Sequence, residues 1–216
     1  MPIRLLSKRP AWCLTVQGWC VVLATLSAVL LSLLFGSGSF LSPTVRVEAD
    51  VLVVEGWLPD YALKDAVEEF HRGKYRYVIT AGSPLLSGYY LSDRKTSADL
   101  AAETLIKVGM SSNSIVRAPG PLVLRGRSLA HAKAVAAWLE THDPLAKGIN
   151  VYTIGVHSRR TWMTFKAVSN GRFPVGVIAH PDAAFDLNRW WTSSEGIKAI
   201  TTEGLGYLWM FLRGVE

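Results

Sequence analysis

Cysteine is nearly absent from the chain. Its 216 residues hold two, Cys13 and Cys20, both near the amino terminus. The remainder therefore has no disulfide framework and no thiol nucleophile. The two are seven apart, on one helix face, where small apolar fillers are a simpler reading than a metal site. Phosphate-binding glycine loops are missing as well. EGW (residues 55–57) stands after the first apolar β-like run where a G-x-G-x-x-G would be needed, and there is no P-loop. No H-E-x-x-H or Cys/His cluster supports a metal, and His180, Asp182 and Asp186 are too loosely grouped to make one. No cofactor is expected. Strong charge is lacking too. The net charge is +6, but Arg4, Lys8 and Arg9 account for half of it, and the other 20 basic and 17 acidic residues leave +3. That bias is too weak to argue for a nucleic-acid partner and fits a domain beside an anionic membrane surface.

Charged residues are missing altogether from residues 11–35, AWCLTVQGWCVVLATLSAVLLSLLF, whose only strongly polar side chain is Gln17. As a helix this run would be ~37 Å long at ~1.5 Å per residue, enough to cross a bilayer with some tilt. Three basic and no acidic residues precede it, so the short amino terminus should stay in the cytoplasm and the rest be exported. Gly36, Ser37, Gly38 and Ser39 keep a cleaved signal peptide open as the competing reading. The length of the run favours an uncleaved anchor. The expected organisation is a cytoplasmic basic flank (1–10), a transmembrane anchor (11–35), a tether (36–48) and an α/β domain (49–216).

Beyond the tether, apolar β-rich runs alternate with helical patterns. Strands are expected near residues 51–54 and 77–80, then in SIVRAP, NVYTIG and PVGVIAH. Helices are expected in PDYALKDAVEEFHRG, TSADLAAETLIKVG, RSLAHAKAVAAWL, RRTWMTFKAVSN and residues 194–211. Asp60, Thr96 or Ser97, Ser128 and Ser158 are the expected helix caps, and Gly73 the stop after the first of these helices. Residues 83–95, rich in Gly, Ser, Pro and Tyr, read as an irregular loop. Continuously apolar strands separated by helices indicate a doubly wound, Rossmann-like α/β sheet of about five parallel strands. With the order 3-2-1-4-5, the loop after strand one (EGWLPD) would face the end of strand four (HSRR) across the crevice where ligands bind in such sheets.

Arg159 and Arg160 open a helix, where the dipole disfavours cations unless an anion is bound. They read either as an anion fork or as one solvated arginine and one partner for Glu55. His157 is a candidate general acid/base, or a histidine that only bonds backbone. Ser158 does not fit a nucleophile elbow and reads as a cap. Glu55, ending a buried strand, needs a partner or a role as base. Gly56 and Gly82 would admit a ligand close to the backbone or serve turns, and Ser83 follows the second of them. Trp57 is a lid, a stacking surface or a packing residue. Arg125, Arg127, Ser128 and His131 could form a second wall of the same pocket, or a solvated basic loop. Trp190, Trp191 and the apolar last helix read as core packing, with an interfacial role as the alternative.

These residues, in this order, resemble the DUF218 family, the ElyC/SanA/YdcF-like envelope proteins. The likeness runs from about Ala49 to Val168 and continues in RWWTSSEG. It rests on ADVLVVEGW, YVITAGS and ETLIKVG. The family's T-x-E-N-A element corresponds to Ser128-Leu129-Ala130-His131-Ala132, and its H-x-P-R-A element to His157-Ser158-Arg159-Arg160-Thr161. His157 and Arg160 match, Ser128 is a mild change, and Ala130 and His131 replace the family's acid and amide. The resemblance implies a Rossmann-like fold, an inner-membrane anchor with the domain outside the cytoplasm, and a role in cell-envelope integrity and peptidoglycan or lipid-carrier metabolism. One branch is described as binding S-adenosylmethionine. The function expected is that of a membrane-tethered protein binding an anionic, phosphorylated envelope metabolite or lipid-linked phosphate, with His157 or Glu55 as catalyst. A non-enzymatic scaffold in envelope assembly is the alternative. A nucleotide- or S-adenosylmethionine-type binder is a third reading, opposed by the missing glycine fingerprint and the expected export.

Overall fold

The computed structural model describes residues 14–215. The basic flank and Cys13 lie outside the described residues, as do the first three positions of the expected anchor. The chain divides into two compact units, residues 1–36 and 37–216. The first consists, among described residues, of most of helix α1 (Val16–Leu41), which is long and apolar enough to cross a membrane.

The second unit is a five-stranded, all-parallel sheet of β1 (Val51–Glu55), β2 (Tyr77–Gly82), β3 (Ile115–Pro119), β4 (Ile149–Ile154) and β5 (Val175–His180). The strand order is β3-β2-β1-β4-β5, so the chain reverses direction across the sheet between β1 and β4. Both faces are covered. Successive side chains of a strand point to opposite faces, and β1 divides accordingly. Leu52 and Val54 pack with Leu63, Ala66 and Phe70 of α2 (Asp60–Gly73) and Leu105 of α3 (Ser97–Lys107). Val51 and Val53 pack with Val135 and Leu139 of α4 (Arg127–His142) and Phe165 of α5 (Ser158–Ser169). A third, smaller cluster joins Leu41, Val156 and Ile200 of α6 (Ser194–Arg213).

Several local expectations are corrected. Residues 36–41 are not tether but the last turns of α1. Gly38 packs against Leu187 and Leu41 is buried, so tertiary contact prolongs the helix past its apolar run. Val45 then forms an antiparallel bridge with Val177 at the sheet edge. Thr96 caps α3 as expected, its hydroxyl accepting from the Asp99 backbone N–H at 3.0 Å. Asp60 is not a cap. Pro59 holds that position, and Asp60 stands in the first turn, where its negative charge suits the helix dipole. Ser128 gives way to Gly126, whose φ of 64° begins α4 without any side-chain bond. Gly73 ends α2, but the left-handed residue is Lys74 (φ 53°). Glycine is needed at 73 for another reason: a Cβ there would strike the Tyr75 ring, with Cζ at 2.6 Å.

Candidate functional site

Register brings the polar residues together. Glu55 pairs with Ala81 of β2, and the preceding Val54 pairs with Tyr152 of β4, so Glu55 stands beside Thr153 at the carboxyl edge. The carboxylate is fully buried. Its Oε2 accepts from the Thr153 hydroxyl and, at 3.4 Å, from that of Thr161 on α5. Its Oε1 has no partner. A buried carboxylate oxygen left unbonded is costly, about 1–3 kcal/mol or more for a charged group, and marks a place where another group is expected.

His157 faces that carboxylate. A short 3₁₀ turn over Gly155–His157 carries the chain from β4 into α5, made possible by Gly155 at φ 47°. The Nε2 of His157 lies 3.9 Å from Glu55 Oε2 and is buried without a hydrogen-bond partner. Its Nδ1 lies 2.9 Å from Oε1 of Glu203, on α6. Burial would raise the Glu203 pKa, but bonds from His157 and Arg160 outweigh it and hold the carboxyl at about 2. An ionised carboxylate only accepts, so Nδ1 is the donor toward Glu203, while Arg160 Nη2 also lies 3.2 Å from the same nitrogen and Nε2 is the ring nitrogen that faces Glu55. The Trp57 ring meets the imidazole edge-on, centroids 5.2 Å apart.

Arg160 is bound to the same carboxylate, Nε to Oε2 at 2.7 Å and Nη2 to Oε1 at 2.9 Å. This bidentate fork raises its pKa further. Arg160 therefore pairs with Glu203 rather than Glu55. Arg159 turns the other way, donating to the Phe40 carbonyl and lying 3.9 Å over the Phe40 ring. Ser158 is not a cap: its buried hydroxyl is within 3.3 Å of the Leu41 carbonyl and 3.2 Å of that of Pro43, which ties α5 to the end of α1. Both α4 and α5 thus start without side-chain caps.

Ser83 and His131 lie nearby. The Ser83 hydroxyl is 2.9 Å from His131 Nε2, both residues are buried, and His131 Nδ1 has no partner. Burial is the main cause that lowers the His131 pKa. The charge of Glu55 opposes it, while Arg127 and His157 add to it. A histidine kept neutral in this way favours folding above its ordinary pKa of about 6.5 and loses that contribution as pH falls through the lowered folded value. His131→Asn should flatten the decline in Tm below pH 6.5, as read from thermal unfolding across pH 4–8; an unchanged slope would assign the decline to other groups. Arg125 and Arg127 are exposed at the start of α4, and Ser128 is partly buried. Gly56 and Gly82 have another neighbour than a ligand: Ser97 and Ala98, opening α3, fill the space in which a Cβ at either would sit.

Sequence reasoning missed Glu203, Thr153 and Thr161. The threonines look like ordinary strand and helix residues. Glu203 did leave a signal, as the only charged residue between Lys198 and Arg213 in an otherwise apolar helix. Among the described residues no group of three or more His, Cys, Asp and Glu side chains converges on a metal-sized site. At 3.9 Å Glu55 and His157 are not hydrogen-bonded to each other, so a proton could pass between them only through a bridging hydroxyl or water, with Glu203 fixing the imidazole and Arg160 offsetting the Glu203 charge. No protein-family model matches the chain, and no curated protein matches it.

Proposed function

We propose that the chain is a DUF218-like, single-pass protein of the inner (plasma) membrane, its amino terminus cytoplasmic and its α/β unit on the extracytoplasmic side. Its crevice takes an anionic, phosphorylated envelope metabolite of peptidoglycan or lipid-carrier metabolism. The observation that carries this reading is the fully buried Glu55 set 3.9 Å from His157 Nε2, each with a polar atom that no protein group satisfies. A substrate hydroxyl or water entering there would meet a base already oriented by Glu203. Positive potential at the mouth comes from Arg127 and the uncapped start of α4, which offers free N–H groups to phosphate. The scaffold reading is favoured by one specific feature: Glu203 already satisfies Arg160 and His157, as a purely structural lock would.

Calorimetric titration of the full chain with short-chain polyprenyl phosphates separates the two. The expected result is saturable binding that Arg127→Ala weakens about tenfold or more, the loss of one charge-assisted contact. Any turnover should vanish in His157→Ala and Glu55→Gln while binding persists. Absence of saturable binding, together with partner capture that survives all three substitutions, would replace this reading with the scaffold.

A further inference from the structure

We propose that the carboxyl-terminal turns of α6 seat in the phospholipid surface that α1 crosses, an inference that rests on α1 being a membrane span. The first half of α6 is a core helix, with Gly196 and Ile200 buried. The second half is not. Leu205, Leu208, Trp209 and Leu212 are 50–69% exposed and follow the i, i+3, i+4, i+7 spacing of one helix face, and Phe211 beside them is 68% exposed. So large an apolar surface on a helix end marks an interaction site rather than ordinary solvent contact.

Chain continuity says what covers it. Residues 37–41, the last turn of α1, belong to the globular unit and pack along α6. Leu41 joins Ile200 in a buried cluster, and Phe40 meets Tyr207 edge-on at 5.1 Å. The peptide bond from Gly36 to Ser37 keeps this end of α6 within a few residues of where the chain leaves the apolar run. Composition agrees with a lipid surface. Tyr207, Trp209 and Phe211 are residues of the membrane interface. Two guanidiniums lie over aromatic rings here, Arg213 over Trp209 at 5.2 Å and Arg159 over Phe40 at 3.9 Å. Among the described residues neither forms an ion pair, and no acid lies between Glu203 and Glu216, so the face offers cations to anionic headgroups. Because α6 also carries Glu203, the same helix that meets lipid would hold His157 in place.

The test is spin-label accessibility in the full chain, reconstituted in vesicles of phosphatidylethanolamine and phosphatidylglycerol, in a Cys13→Ser, Cys20→Ser background. Labels go at Leu208→Cys, Leu212→Cys, Lys198→Cys on the same helix, and Val29→Cys within α1. The expected result is that oxygen outcompetes a water-soluble nickel chelate at 208, 212 and 29, with the order inverted at 198. Nickel access at 208 and 212 equal to that at 198 overturns the proposal. So does shielding from both reagents, which would mean that protein, such as a second copy of the chain, covers the face. A lipid signature missing at 29 would sink the membrane-span premise itself, whereas its presence at 29 alone would leave that premise standing and remove only the seating of α6. Native-like circular dichroism of each variant guards against misfolding.

Discussion

Replacing Glu203 by glutamine should destabilise the protein by roughly 3 kcal/mol at neutral pH. The side chain is 13% exposed and serves Arg160 (29% exposed) and His157 at once. Holding its pKa at about 2, against the ordinary 4.5, is worth roughly 3 kcal/mol at ~1.36 kcal/mol per unit. Breaking one side of a part-buried ion pair leaves the other charge uncompensated, which costs about as much. The pH dependence has a definite sign. A carboxyl with a lowered folded pKa contributes fully above pH 4.5 and loses that contribution as pH falls through about 2. Wild-type stability should therefore decline over that window, and the Glu203→Gln variant should show less of the decline. Denaturant unfolding of the full chain in detergent reads both effects. A second variant, Glu203→Gln with Arg160→Leu, should recover part of the loss, because it removes the orphaned charge. If the single change proves neutral, Glu203 is not the keystone of the His157–Arg160 cluster.

Gly82→Ala should be comparably damaging, at about 3 kcal/mol. A methyl at position 82 would overlap the Ser97 hydroxyl and the Ala98 backbone nitrogen and stand 2.9 Å from the Ser97 carbonyl carbon. A side chain can swing away, but the first residues of α3 cannot. They are held by the Thr96 cap and by the Ser97 N–H donating to the Ser83 carbonyl at 2.9 Å. Overpacking against backbone typically costs about 1–3 kcal/mol and sometimes more. The displacement should reach the site, because Ser83 is the next residue and its hydroxyl touches His131. Gly120→Ala is the natural control, since its new methyl would meet nothing nearer than 3.3 Å. Equal melting temperatures for the two variants would show that α3 yields more readily than its contacts imply.

Much of the architecture was legible from local pattern. Apolar strands five or six residues long, separated by amphipathic helices, already implied a parallel sheet, and its reversal between β1 and β4 matches the order expected. The meeting of Glu55 and His157 follows from that order, since each sits at the carboxyl end of one of two adjacent strands. The apolar run of α1 was equally plain, because a charge-free stretch of that length is visible without any partner. What the sequence by itself determined was therefore what repeats along the chain: hydrophobic period, strand and helix alternation, and length. Tertiary structure alone decided which cation met which acid. Arg159 and Arg160 are adjacent in sequence, yet α5 turns one toward Phe40 and the other toward Glu203, 43 residues away. Ser158 left the cap position for the same reason, as its hydroxyl found the carbonyls of Leu41 and Pro43. Such pairings depend on the angle at which separate helices pack, and packing is a property of distant residues brought together, which no local period encodes.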